Sequence, residues 1–159
     1  LYCLVGLFLV DHVGGITWVG AGAIAAFGVA SIWANYDADR QRMRVRQTGG
    51  ETTVWGKKPE VIEATYLTAD GEERTNLLLV SGWWGTARHL HYVFELALAT
   101  AWTLPALFTH LLPWSYVIFL AILLTDRARR DERRCAAKYG AAWEAYRARV
   151  RWRMVPGLY

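Results

Sequence analysis

"LLPWSYVIFLAILLTDRARRDERRCAAKYG", residues 111–140, turns from apolar to strongly basic within a few positions. Its first part, 111–125, carries no charged side chain and would rise ~22 Å as a helix. A second apolar run, 93–108, precedes it across His110, and Pro105 and Pro113 interrupt the pair. Each run falls short of the ~30 Å hydrocarbon thickness. They predict a helical hairpin over 93–125, partly shielded by other protein, rather than two free spans. Upstream, 16–34 offers ~19 uncharged residues, ~28 Å as a helix, which is enough to cross. Gly20, Gly22, Ala26 and Gly28 there suit close helix packing, and Trp18 and Trp33 fall near its ends. Residues 1–10 (LYCLVGLFLV) read as the end of another span, with a turn over 11–15.

Composition points the same way. The 159 residues are 54% hydrophobic and include nine tryptophans, more than ordinary soluble domains carry. The expected class is an all-α polytopic membrane protein, the C-terminal part of a multi-span bundle. Leu1 opens inside an apolar run, so further spans are expected before it. Residues 35–81 read as a polar cytosolic insert. Within it, VIEATYLT and RTNLLLV flank Asp70-Gly71, a hairpin signal. Lysines and arginines gather at 40–46, 57–58 and 127–153, so the basic loop 40–58 and the basic tail are expected on one cytosolic side. Cys3 and Cys135 lie in unlike surroundings, and a disulfide between them is not expected at a reducing face.

Three constellations carry chemistry. Arg40, Arg42, Arg44 and Arg46 alternate just outside a span, which suits either topology-setting charge or a phosphate clamp. In LLLVSGWWGTARHLHYVFE, 77–95, small residues let the backbone approach something flat, and Trp83, Trp84, His89, His91 and Tyr92 supply faces and hydrogen bonds. Arg88 and Glu95 can pair on the following helix. An interfacial tryptophan belt explains that segment as well as a cofactor shelf does. His89 and His91, two apart, do not face one another on a helix, and no third soft ligand stands nearby, so no metal is expected. On a helix beginning near Asp126, residues Asp131, Cys135, Lys138, Tyr139 and Tyr146 form one stripe. Arg130, Arg133, Arg134 and Arg147 face away from it, toward lipid headgroups. A plain amphipathic helix stays open beside a nucleotide-binding stripe.

NYDADRQR, VWGKKPEVIEATY, LLLVSGWWGTARHLHYV, the quoted 111–140 segment and the terminal RMVPGLY resemble, in order, the C-terminal half of the sterol reductase family, which includes delta-14 reductases and the membrane domain of the lamin B receptor. The likeness runs from about residue 35 to the last residue, and 1–34 match in hydropathy alone. SGWWGTARHLHY and DRARRDERRC-x-x-KYG resemble the Δ7 branch, particularly its plant-type form. The resemblance implies a membrane enzyme that uses NADPH to reduce the ring-B C7=C8 double bond of a sterol. It implies residence in the endoplasmic reticulum, or in the cytoplasmic membrane of a bacterium, beside other sterol-biosynthesis enzymes. Sterol and membrane lipid are the implied partners, with no nucleic acid and no metal. The NADPH contacts implied are Arg42, Arg46, Leu79, Trp84, His91, Tyr92, Asp131, Cys135, Ala136, Ala137, Lys138, Tyr139 and Tyr146.

Hydride addition to an unactivated alkene also needs a proton donor. Tyr92 and Glu95 are the acids this chain offers, with the true donor and much of the sterol cavity open to assignment upstream. Three other readings stand beside this one. A delta-14 reductase shares the family. An isoprenylcysteine-type methyltransferase would bind S-adenosylmethionine, which has no phosphates for the arginines. A non-catalytic sterol-binding protein would not require the cofactor stripe.

Overall fold

The computed structural model describes residues 2–12 and 15–159, with only the backbone at 2–4. Leu1 of the expected first span, Val13 and Gly14 of the expected turn, and the Cys3 side chain lie outside the described residues. In chain order the elements are α1 (Tyr2–Asp11), α2 (Trp18–Gln47), β1 (Val61–Leu67), β2 (Glu73–Leu79), α3 (Trp83–Thr86), α4 (Leu90–Thr103), a 3-10 turn (Leu104–Ala106), α5 (Leu111–Tyr139) and α6 (Ala141–Arg149). The chain divides into two compact units. One holds Leu1–Asn35 with Tyr92–Asp126, the other Tyr36–His91 with Arg127–Tyr159.

The first unit is apolar on its outside. Trp18, Val29, Ile32, Trp33, Ile118 and Ile122 are exposed, an arrangement that water penalises and lipid does not. Two helices, α2 and α5, are long and apolar enough to cross a membrane. Gly28 on α2 sits where an added Cβ would touch Ala101 Cβ at 3.4 Å, so the small residue allows close packing against α4. Two buried hydroxyls in this unit are satisfied within their own helices: Ser31 Oγ donates to Phe27 O at 2.8 Å and Thr103 Oγ1 to Ala99 O at 3.0 Å. Between α4 and α5 the connection is held by Trp114, whose Nε1 donates to Leu107 O at 2.7 Å while its ring stacks on Phe108. Pro113 falls in the first turn of α5, where its missing N–H breaks no helical bond.

The second unit is built on the expected hairpin. Strands β1 and β2 are antiparallel, with Val61 opposite Leu79 and Leu67 opposite Glu73. Successive strand residues face opposite sides, and the core follows that rule. Leu78 joins Ala64, Trp143, Tyr146 and Val150 on the α6 side, whereas Leu79 joins Val45, Val54 and Trp84 on the α2 side.

Two expectations fail on backbone grounds. Residues 35–47 are not a loop, because α2 continues through them to Gln47. NYDADRQRMRVRQ holds no glycine or proline, and its side chains support a helix: Gln41 Nε2 donates to Asp37 at 2.8 Å and Arg42 to Asp39 at 2.8 Å. The helix stops at Gly49 and Gly50, which adopt φ 62° and 90°. Likewise no helix begins near Asp126. Helix α5 runs unbroken from Leu111, and Gly140 at φ 50° ends it, so Tyr146 stands on the separate helix α6.

Candidate functional site

Trp84 is the hub of the polar unit. Its indole Nε1 donates to Ala38 O on α2 at 2.7 Å, which fixes the ring against that helix. The Arg42 guanidinium lies 4.2 Å from the ring centroid, within cation–π range. The His91 ring is 5.0 Å away, and the Tyr146 hydroxyl donates to Trp84 O at 3.2 Å. Arg42, Trp84, His91 and Tyr146, drawn from α2, α3, α4 and α6, thus form one constellation. Leu79 packs in the same core cluster as Trp84.

The glycines of SGWWG serve that hub in a way the sequence reading did not foresee. A Cβ on Gly82 would come within 2.5 Å of Val54 Cγ1, and one on Gly85 within 2.5 Å of Val80 O. What approaches the small residues is the protein itself. Trp83 completes the seat, its Nε1 donating to Asp37 at 2.8 Å.

A second group gathers along β1 and β2. Lys138 Nζ stands 3.8 Å above the Tyr66 ring, Tyr66 meets Tyr139 edge-on at 5.5 Å, and the Tyr139 hydroxyl accepts from Asn76 Nδ2 at 2.9 Å. Asn76 also lines, with Arg46, Glu63, Thr75 and Leu77, a cavity of about 340 Å³. Arg46 and Asn76 thus line one cavity, and Asn76 in turn bonds Tyr139. Sequence reading missed Tyr66 and Asn76; their alternation along the strands, on the face that meets α5 and α6, was the available signal.

The other expected contacts are placed less tightly. Cys135 is half-buried against the α6-side core; burial pushes its thiol up, with Asp131 in the same direction and Lys138 and Arg46 opposing. The carboxylate of Asp131 is 4.0 Å from Arg127. Ala137 is exposed, and Ala136 lines a different cavity. Tyr92 is buried in the first turn of α4 but belongs by its contacts to the apolar unit.

Burial sets the charge states. His91 falls from 6.5 to about 3, chiefly through desolvation, with His89, Arg42 and Arg127 adding to it. His89 falls to about 4, again by burial first, although Glu132 and Asp131 pull upward. Both rings are neutral at physiological pH. Burial also holds the Tyr146 phenol well above its ordinary value, so it remains a donor.

The profile described as the ergosterol biosynthesis ERG4/ERG24 family matches residues 1–159. The chain belongs to the ERG4/ERG24 family. It is 48% identical to a 7-dehydrocholesterol reductase of Arabidopsis thaliana over 159 residues, covering all of this chain and 37% of the relative. A 7-dehydrocholesterol reductase of Xenopus laevis is 40% identical, with all of this chain and 34% of the relative covered. A Delta(14)-sterol reductase of Methylotuvimicrobium alcaliphilum is 37% identical over 158 residues, 99% of this chain and 35% of the relative. The chain thus spans about a third of the length of these curated relatives. Their shared character is that of multi-pass membrane sterol reductases, which agrees with the two apolar helices.

In this member of the ERG4/ERG24 family Arg88 makes a long-range pairing within the polar unit. Arg88 Nε donates to Glu132 Oε1 at 2.5 Å, and its Nη1 to Val150 O at 2.5 Å and Arg151 O at 2.9 Å. Arg153 Nε donates to the other oxygen, Glu132 Oε2, at 2.9 Å. Backbone bonds from Arg88 N to Trp152 O and from His89 N to Arg153 O lay the tail beside this segment at 3.0 and 2.7 Å. The clamp fixes the turn that delivers His91 to Trp84. Helical spacing could not reveal it, because Glu132 is 44 residues from Arg88.

Proposed function

We propose that this chain is the cofactor-binding part of an NADPH-dependent sterol reductase that reduces the ring-B C7=C8 double bond. The observation that carries the reading is the joining of Arg42, His91 and Tyr146 on Trp84, four residues from separate elements. The donor set fits a phosphorylated dinucleotide. Guanidinium forks match phosphate oxygens, an indole offers a flat face, and buried phenols offer fixed hydroxyls. Arg42, Arg46 and Lys138 would hold the phosphates. Trp84 and Tyr139 would flank rings, and Asp131, Leu79, Cys135, Ala137, His91 and Tyr146 would complete the wall. Neutral His91 can hydrogen-bond there without repelling Arg42.

When bound, NADPH supplies the hydride. The chain's own residues orient the cofactor and keep water from it. Tyr92 Oη, buried at the start of α4, and the Glu95 carboxyl one turn further on are the acids this chain offers for protonating the alkene. The substrate class rests on the 7-dehydrocholesterol reductases the chain is similar to. We place the spans at about 1–10 and 16–34, the insert at 35–81, the helical hairpin at 93–125 and the cofactor segment at 126–159, with both basic segments cytosolic in an endoplasmic reticulum membrane.

Expression of the full-length protein in cells that accumulate 7-dehydrosterols tests the reaction. The expected outcome is conversion to sterols saturated at C7–C8. Reduction only of C14=C15 sterols would move the assignment to the delta-14 branch, and no reduction of either would contradict it.

A further inference from the structure

A cavity of about 370 Å³ opens on the polar unit, lined among others by Arg129, Glu132, Arg133, Trp143, Arg147 and Arg153. It is not the proposed cofactor constellation. Arg129 and Arg133 share one face of α5, while Asp131 and Cys135, two residues further on, stand about 200° around the helix.

The cavity's charge is lopsided. Glu132 is its one carboxylate, and both oxygens are committed, to Arg88 and to Arg153. Arg129 donates through Nε to the Tyr159 hydroxyl at 3.1 Å, and Arg147 reaches the exposed Glu144 at 3.1 Å. Positive charge therefore dominates the lining. Trp143 adds an independent pointer. It is 5% exposed, and its indole Nε1 is buried with no hydrogen-bond acceptor among the described residues. An indole nitrogen only donates, so an oxygen-rich ligand in the cavity would satisfy it.

We propose that this cavity is an anion site that recognises a phosphate group, with Arg129, Arg133 and Arg147 as the charged forks and Trp143 Nε1 as an inner donor. Guanidinium geometry suits phosphate oxygens, and three forks around one opening favour a dianionic head over a single carboxylate. Arg129 follows Thr125, the last residue of the uncharged run 111–125, by four positions, ~6 Å of helix rise, which is headgroup depth in a bilayer. A phospholipid headgroup and a free phosphate share this chemistry.

The test titrates the full-length protein in detergent with dihexanoyl phosphatidic acid and, separately, with inorganic phosphate. Variants are the Arg133→Gln/Arg147→Gln pair, Trp143→Phe and Arg46→Ala, with thermal midpoint as the fold control. The pair should lower affinity for the bound probe at least tenfold, Trp143→Phe several-fold, and Arg46→Ala less than twofold. Phosphatidic acid binding tenfold or more above inorganic phosphate identifies a lipid headgroup, and similar affinities identify free phosphate. The proposal is overturned if the wild type binds neither probe, if binding survives the paired substitution, or if Arg46→Ala abolishes it. None of these readouts needs NADPH to bind, so the cofactor reading can fail on its own.

Discussion

Glu132 and Arg88 show how a single pair anchors the polar unit. Their side chains are 9% and 5% exposed, and the carboxyl, which burial alone would raise, is held below its ordinary value by its bonds and charge contacts with Arg88 and Arg153. Removing one partner of such a pair strands a buried charge. Glu132→Gln should therefore cost about 3–5 kcal/mol, read as a lower thermal midpoint and faster proteolysis of the tail. An unchanged midpoint would show the clamp to be dispensable. The two histidines give a pH signature. Their values drop from 6.5 to about 4 and about 3, so below pH 6.5 the unfolded chain takes up protons that the folded chain refuses. Stability is full above that pH and declines as pH falls toward 4, by up to ~1.4 kcal/mol per unit for each ring. Glu132 contributes mainly near and below its ordinary 4.5, under the 6.5–5 range in which the histidine slope is read. His91→Asn should reduce the slope between pH 6.5 and 5 by roughly half, measured from unfolding at stepped pH. A slope independent of His91 would mean that the ring is solvated.

At the scale of elements, the small turn α3 depends on glycine. Gly85→Ala would place a Cβ against Val80 O, a backbone atom that cannot swing aside. The expected loss is about 1–3 kcal/mol, with a matching fall in folded yield, and a wild-type yield would contradict the packing described. The hairpin was legible in the sequence because Asp70-Gly71 sits between alternating segments and both cues are local. The far end of α2 was not. The change from apolar to polar at Asn35 reads as the end of a helix, yet polarity decides which surroundings a helix meets, while glycine and proline decide where it stops. The same confusion set a helix start near Asp126. The stripe through Asp131, Cys135 and Lys138 survives as one face of α5, but Tyr146 joins it by tertiary packing and a hydrogen bond to Trp84 O, not by helical phase.

Over the whole molecule, α2 and α5 each carry apolar chemistry into one compact unit and basic chemistry into the other. The membrane class was readable from hydropathy and tryptophan content, and the family from its motifs. The buried clamp was not, since it joins residues 44 apart with no periodic signature. The cofactor proposal places Arg42, Arg46, Trp84 and Tyr146 around one nucleotide site. The most direct measurement is a titration of the full-length protein with NADPH and, separately, with its sterol, in wild type and in Arg46→Ala. The expected result is at least a tenfold weaker NADPH affinity with sterol affinity within twofold of wild type. Equal losses for the two ligands, or no loss of either, would contradict it.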